Sequence, residues 1–146
     1  MELKVHPNDK MTPLERGKAI ADGRDYDRLI MDPFLGEIKA RIIGKNTKEY
    51  WTNEDNLVTG DILSTNRFGL DGMGVGPNAY GIAEAMGVVP HYPEHGLIYV
   101  EKHPIDSIDE VDKLKNITLE SGRLKMYYNA TARLREAAEG FCGVGA

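Results

Sequence analysis

Residues 57–86 read LVTGDILSTNRFGLDGMGVGPNAYGIAEAM and place an apolar, glycine-rich segment between two amphipathic ones. Asn53 can cap the first amphipathic segment as a helix, and Gly69 can end it. Apolar side chains recur at helical spacing along this helix: Leu57, Val58, Ile62 and Leu63. Residues 70–76 then indicate a strand, and residues 79–86 a compact helix. An apolar strand between helices is typical of a parallel sheet covered by helices, so this stretch predicts the α/β class.

Upstream, the alternation of helix and strand continues. Residues 12–15, TPLE, form a capping-box pattern with proline at the first helical position, which predicts a helix ending near residue 23. Residues 29–35 are a short apolar run and predict a buried strand. A further helix should follow and end at Gly44. Its predicted inner face is apolar: Ile38, Ile42 and Ile43.

Downstream, prolines interrupt residues 88–104, in which residues 97–100 fit an edge strand. A second capping box, at Ser107, predicts a short helix. A long amphipathic helix over residues 119–139 leads into a final buried strand, residues 141–146. The inner face predicted for the compact helix before these prolines is again apolar: Ile82, Ala83 and Met86. We expect three βα-type units in parallel order, with the N-terminal helix packed outside the strands.

The composition is that of one acidic globular domain spanning residues 1–146. The net charge is −5, and 41% of the residues are hydrophobic. This charge leaves no basic field to attract nucleic acid or anionic lipid, so we expect neither nucleic acid nor membrane as a partner. The sequence has no run of about 18 apolar residues and no signal-peptide pattern. A single cysteine, Cys142, cannot form an internal disulfide, so we expect a cytoplasmic protein.

The glycines of residues 72–76, GMGVG, follow a predicted strand, as glycines do in dinucleotide-binding proteins. Their spacing argues against that function, because Pro77 or Ala79 stands where the third glycine of G-x-G-x-x-G belongs. The phosphate-binding pattern G-x-x-x-x-G-K-[ST] does not occur either. We interpret these glycines as positions at which a helix packs closely against a strand.

Three histidines lie close together in the sequence: His91, His95 and His103. The spacing of the first two suits a metal ion only on a helix, and Pro93 between them disfavours a helix. We therefore interpret all three as surface histidines and expect no metal site within this chain. Cys142 has no charged neighbour in sequence that would lower the pKa of its thiol, so core packing explains it better than a nucleophilic role.

Candidate site residues follow from position alone. In a barrel of parallel strands, chemistry gathers where strands end and the next loops begin. Asp32 and Phe34 end the first predicted strand and Asn78 ends the second, which makes these three residues the candidates for a substrate pocket. Asp32 and Asn78 can instead be helix N-caps. The sequence does not identify catalytic residues.

Several short segments occur in a recognisable order: MTPLER at 11–16, GRDYDR at 23–28, RFGLDG at 67–72, EAMG at 84–87 and FCGVG at 141–145. In this order they resemble the uroporphyrinogen decarboxylase superfamily, which includes cobalamin-dependent methyltransferases. The resemblance implies the N-terminal part of a (β/α)₈ TIM barrel. Because a closed barrel takes about 250 residues, we expect the chain to be incomplete and inactive alone. We also expect the remainder of the barrel or another copy of the chain to cover the edge of its last strand.

Two departures from the decarboxylase pattern affect the function that the resemblance implies. The decarboxylases have an arginine-rich loop after the first strand and an aspartate at the end of the second. Here residues 32–37 read DPFLGE, and Asn78 stands in the second segment. Because a polycarboxylate tetrapyrrole requires cationic partners, the comparison favours the methyltransferase branch, which moves a methyl group between a corrinoid protein and a thiol such as coenzyme M.

Two alternatives stay open: uroporphyrinogen III decarboxylation in porphyrin biosynthesis, and a non-catalytic module that docks a corrinoid protein or half of a barrel. The methyltransferase branch uses zinc, held by His and Cys ligands on later strands, together with a corrinoid. The resemblance therefore implies both cofactors for a full-length enzyme and none bound within this chain. It implies a corrinoid protein or a small-molecule substrate as the partner.

Overall fold

The computed structural model describes residues 1–75 and 80–145. Its helices are α1 (Pro13–Ala21), α2 (Ile38–Ile42), α3 (Thr47–Trp51), α4 (Glu54–Phe68), α5 (Gly81–Met86) and α6 (Leu124–Ala137), with a 3₁₀ helix at Ile108–Lys113. Its strands are β1 (Gly72–Gly74), β2 (Val89–His91), β3 (Tyr99–Lys102) and β4 (Gly143–Gly145). No helix within the described ranges has the length and hydropathy needed to cross a membrane.

A parallel pair of strands forms the centre of the molecule. β1 and β4 lie side by side, with Met73 opposite Val144 in register. Each strand follows a long helix, α4 before β1 and α6 before β4, and these two helices pack against each other. Helix α1 begins beside β4, where the backbone N–H of Leu14 donates to the carbonyl of Phe141 at 2.9 Å. The predicted α/β class and the parallel pairing of these two segments are confirmed.

The apolar core lies where α4 and α6 meet the parallel strands. Leu57 and Leu134 are 0% exposed, and each contributes about 1.5–3 kcal/mol by leaving water. The other core residues include Tyr50, Trp51, Ile62, Met73, Val75, Tyr127 and Ala130. Tyr50 and Trp51, which stand just before the predicted cap at Asn53, belong to the short helix α3 and face this core.

The helix caps follow the sequence signals. Thr12 accepts a hydrogen bond from the backbone N–H of Glu15, and the Glu15 carboxylate accepts one from Thr12 in return. Asn53 caps α4 as predicted, and Gly69 ends that helix in the left-handed conformation at φ 63°. Ser107 caps the 3₁₀ helix, but it accepts from Asp109, so the second capping box is incomplete.

The prediction of a strand over residues 29–35 is wrong. The segment forms no regular strand, and Leu29 and Phe34 are 74% and 89% exposed. Met31 is its point of attachment to the sheet, because its carbonyl accepts from the backbone N–H of Asp71 at 2.9 Å. The backbone hydrogen bonding does not continue as a strand pair, because the N–H of Met31 donates to the Asp71 carboxylate and Pro33 has no N–H to donate.

The predicted inner faces of two helices are confirmed only in part, since Ile43 packs against the core but one isoleucine of each face is exposed. Ile38 on α2 and Ile82 on α5 are 52% and 47% exposed, whereas Ala40 and Ala85 are buried. Small residues allow these short helices to approach their neighbours closely, and the branched side chains are left on the outer side.

The parallel order of three units is also corrected. Residues 88–104 contain an antiparallel hairpin of β2 and β3 where a single edge strand was predicted, so the described strands comprise one parallel pair and one hairpin. Helix α6 begins at Leu124, five residues later than predicted, because residues 119–123 form turns. β4 is not buried as predicted, since both of its glycines are exposed.

Candidate functional site

A cavity of about 840 Å³ lies beside the β1–β4 pair. Glycine backbone from both strands forms one wall, and residues 32–36 form another. Its further lining comes from Lys39, Tyr50, Trp51 and residues 70–75. We call this space the central cavity.

Two of the three predicted pocket residues line the central cavity, Asp32 and Phe34. Asn78, the third, lies outside the described residues. Asp32 is not a helix N-cap, because α2 begins after Glu37 and has no side-chain cap. Phe34 projects into solvent and packs its ring edge near Gly36, which has φ 47°. The structure therefore brings Asp32 and Phe34 to one place, and their role in binding stays a prediction.

Gly72 and Gly74 do not serve the predicted helix packing, and Gly76 lies outside the described residues. A Cβ atom on Gly72 would stand 2.7 Å from Oδ2 of Asp32, and one on Gly74 would stand 2.9 Å from the carbonyl oxygen of Gly145. Such distances are too short for a side chain without displacement of the neighbour. Gly72 thus makes room for the Asp32 carboxylate, and Gly74 permits the close approach of β4.

A largely buried ion pair lies at the cavity wall. The Lys39 ammonium donates to Oδ1 of Asp61 at 2.7 Å and to the carbonyl of Gly74 at 3.2 Å, and the Gly74 N–H also donates to Oδ1 of Asp61. Burial raises the pKa of the Asp61 carboxyl, and Lys39 partly opposes that effect. Oδ2 of Asp61 is buried and has no hydrogen-bond partner among residues 1–75 and 80–145. The pair ties α2 and α4 to β1.

A larger ionic cluster lies at the start of β1, and we call it the Asp71 network: Asp9, Arg16, Asp27, Arg28 and Asp71. Arg16 is 0% exposed and donates to all three carboxylates, including Asp27 at 2.7 Å and Asp9 at 3.1 Å. Hydrogen bonding from Arg16 holds the pKa of Asp27 well below its usual range. The Arg28 hydrogen bond lowers the pKa of Asp9 in the same way.

The Asp71 network fixes the backbone that carries Asp32. Oδ2 of Asp71 accepts from the N–H of Met31 at 2.7 Å, and the N–H of Asp71 donates to the carbonyl of Met31. Pro33 restricts the residue before it to extended backbone. Asp32 thus lies between Met31, which makes two hydrogen bonds to Asp71, and Pro33, and its carboxylate lies against the Cα of Gly72.

Nucleophilic and metal chemistry find no support in the described part of the chain. Cys142 is buried, and burial raises the pKa of its thiol to about 11, so it is protonated at neutral pH and packs in the core as predicted. His91 stacks on Tyr99 with the ring centroids 4.7 Å apart, while His95 and His103 are exposed. No three His, Cys, Asp or Glu side chains are grouped to hold a metal ion within residues 1–75 and 80–145.

Sequence reasoning missed the ionic residues around the cavity. Asp61 occupies a core-facing position of α4 between Leu57 and Thr65, and Arg16 lies on the buried face of α1. A charged residue inside an otherwise apolar helix face signals a buried partner, since an unpaired buried charge is costly. Lys39 lies 22 positions from Asp61, and Asp71 lies 55 positions from Arg16, so spacing along the sequence does not identify these pairs.

A third ionic contact joins the peripheral elements. Nη2 of Arg123 donates to both carboxylate oxygens of Glu84 at 3.0 Å, and the guanidinium carbon lies 3.8 Å from the centre of the Tyr92 ring. This contact connects α6, α5 and the segment after β2. It lies outside the cavity lining and has a structural role.

Comparisons with known proteins agree with this architecture. The model of the family described as uroporphyrinogen decarboxylase (URO-D) matches residues 12–145. Among solved structures, a methyltransferase from Methanosarcina mazei matches with a TM-score of 0.70 and 18% sequence identity, over 92% of this chain and 41% of the other. The chain thus spans less than half the length of that methyltransferase. No curated protein matches it in sequence.

Proposed function

The chain belongs to the uroporphyrinogen decarboxylase family, and from that premise we propose that its central cavity is part of the active site of a methyltransferase. The reaction is the transfer of a methyl group between a corrinoid and a thiol. The (β/α)₈-type fold shared with the Methanosarcina mazei methyltransferase supports this choice, because it supplies the same scaffold for a pocket beside parallel strand ends.

The observation that carries the proposal is the charge of the central cavity. The ionisable carboxylate and cationic residues of its described lining are Asp32, Lys39 and Asp71. Lys39 is already paired with Asp61, and Asp32 adds a negative charge. A tetrapyrrole with several carboxylates would find Lys39 already paired and would be repelled by Asp32. A substrate without several acid groups would not be repelled in this way. The lining therefore favours methyl transfer over porphyrin decarboxylation.

The described residues would bind and orient a substrate. Phe34 and Met73 supply apolar surface, and the Lys39–Asp61 pair joins α2 and α4 to β1 at the same wall. A thiol-activating zinc does not fit residues 1–75 and 80–145, where no ligand set is grouped, so we assign no step of the reaction to a metal held there. The corrinoid, when bound, supplies or receives the methyl group.

Because we expect the chain to be inactive alone, the test uses it together with the polypeptide that supplies the remainder of the expected barrel, and adds methylcobalamin and a thiol. The thiol loses its proton to the buffer, its sulfur forms a bond to the methyl carbon, and the cobalt–carbon bond breaks with its electron pair left on cobalt. The products are the methyl thioether, cob(I)alamin and a proton. We expect the thioether and cob(I)alamin in equal amounts. In parallel, the protein is supplied with uroporphyrinogen III. Release of carbon dioxide without thioether would show a decarboxylase, and neither product would overturn the catalytic proposal in favour of a docking role.

A further inference from the structure

We propose that Asp32 binds the positively charged group of a small ligand, an alkylammonium group, in the central cavity. The inference rests on the proposed function in taking this cavity as the substrate site, and it adds the charge class of the ligand. Asp32 was predicted from the sequence as a pocket residue. Neither the family match nor the fold assigns a role to its carboxylate.

The charges around the cavity leave Asp32 without a counter-ion. Lys39 is matched by Asp61, and Asp71 lies in a network whose three carboxylates outnumber its two guanidinium groups. Asp32 makes no hydrogen bond or ion pair with any described residue. Burial raises the pKa of the Asp61 carboxyl and of the Cys142 thiol, and the negative charge of Asp32 adds to both effects. The uncompensated charge of the described lining is therefore negative.

Asp32 is exposed to solvent, but its backbone is held in place on both sides. Two hydrogen bonds join the preceding residue, Met31, to Asp71, and Pro33 restricts the backbone that follows. The Asp32 carboxylate occupies space that the Cβ atom of any larger residue at position 72 would need. A preorganised carboxylate loses little entropy when a cation binds, and this favours a specific complex.

The neighbouring lining suits an alkylated cation better than a hydrated metal ion. Phe34 and Met73 offer apolar and polarisable surface for the carbon substituents. A hard cation requires several oxygen ligands at one point, and no such group of carboxylates occurs within residues 1–75 and 80–145. An ammonium group with alkyl substituents fits a single carboxylate beside apolar walls.

The experiment measures binding of choline to the purified protein by calorimetry at constant ionic strength. The probes for comparison are dimethylbutanol, which is the uncharged carbon isostere of choline, and acetate. We expect choline to bind more tightly than either, and Asp32→Asn to weaken choline binding about tenfold while leaving dimethylbutanol unaffected. Asp112→Asn removes the same charge from an exposed residue outside the cavity and should change nothing.

A second variant separates the position of the carboxylate from its charge. Gly72→Ala keeps every charge but displaces the Asp32 carboxylate, so it should also weaken choline binding. Equal affinity for choline and dimethylbutanol, or unchanged choline affinity in Asp32→Asn, would overturn the inference. Choline binding that depends on Asp32 without any methyl transfer would retain the inference and reject the proposed function. Methyl transfer together with choline affinity that does not change in Asp32→Asn would retain the proposed function and reject the inference.

Discussion

Replacement of Arg16 by alanine should lower the free energy of unfolding by about 3–5 kcal/mol, because it removes the cation from a buried ionic cluster. The Arg16 side chain is 0% exposed, and its three carboxylate partners, Asp9, Asp27 and Asp71, are 8%, 7% and 3% exposed. Removing the guanidinium leaves these carboxylates facing one another with only Arg28 to balance them. The loss is large beside the 5–15 kcal/mol that is typical of whole proteins.

Urea denaturation followed by circular dichroism measures this loss at neutral pH. The matched control is Arg24→Ala, since Arg24 also pairs with an aspartate, Asp22, at 3.1 Å, but the two side chains are 56% and 48% exposed. An exposed pair is worth about 0–1 kcal/mol. In a domain of this size the Arg16 variant should melt about 6–20 °C lower and the control close to the wild type.

The pH dependence of the stability loss in Arg16→Ala is a second test of its cause. If the loss comes from carboxylates left without a cation, it should shrink as the pH falls toward 3 and the carboxylates of the variant take up protons. Adding Asp27→Asn to the Arg16 variant should also restore part of the stability at neutral pH. A loss in Arg16→Ala no greater than that in Arg24→Ala, or one independent of pH, would refute this reasoning.

Three further predictions concern the elements around the cavity. The free energy of unfolding should fall as the pH drops below about 4. The pKa of Asp27 is lower in the folded protein than its unfolded value of about 3.9. The stabilisation by Asp27 is therefore fully present above the unfolded pKa and is lost as the pH falls toward the folded pKa. Lys39→Met should cost about 3–5 kcal/mol by leaving Asp61 buried and unpaired, as urea denaturation would report. Gly74→Ala should cost about 1–3 kcal/mol, because the new Cβ would meet the carbonyl of Gly145 at 2.9 Å.

Each of these predictions has a matched control. Asp27→Asn should flatten the acid dependence of stability, and an unchanged dependence would contradict the assignment. Lys45→Met removes the lysine of an exposed pair with Glu49 and should cost less than 1 kcal/mol. Gly143→Ala lies on the partner strand where an added Cβ meets no atom within 4 Å, so it should be nearly neutral, and equal losses at both glycines would exclude the steric explanation.

Local signals in the sequence predicted the elements whose causes are local. The caps at Thr12 and Asn53 and the glycine stop at Gly69 depend on residues within one helical turn of one another, so they can be read directly. The pattern of apolar residues likewise predicted α4, α6 and the parallel class, because burial of a helix face depends on its own periodicity. The order of short segments predicted the family that the match over residues 12–145 shows.

Tertiary structure decided which surfaces are buried and which charges meet. Residues 29–35 have the composition of a strand, but the carboxylate of Asp71, forty positions away from Met31, takes the N–H that a ladder would use. Ile38 is exposed because Ala40 allows α2 to approach its neighbours more closely.

The candidate site divides in the same way. The sequence by itself placed Asp32 and Phe34 at the end of a segment, where a pocket was expected. Only the folded chain brought Asp32 against Gly72, matched Lys39 with Asp61 and anchored Met31 to the Asp71 network. Ion pairs and close backbone contacts between distant residues depend on three-dimensional distance, which residue type and spacing along one chain do not specify.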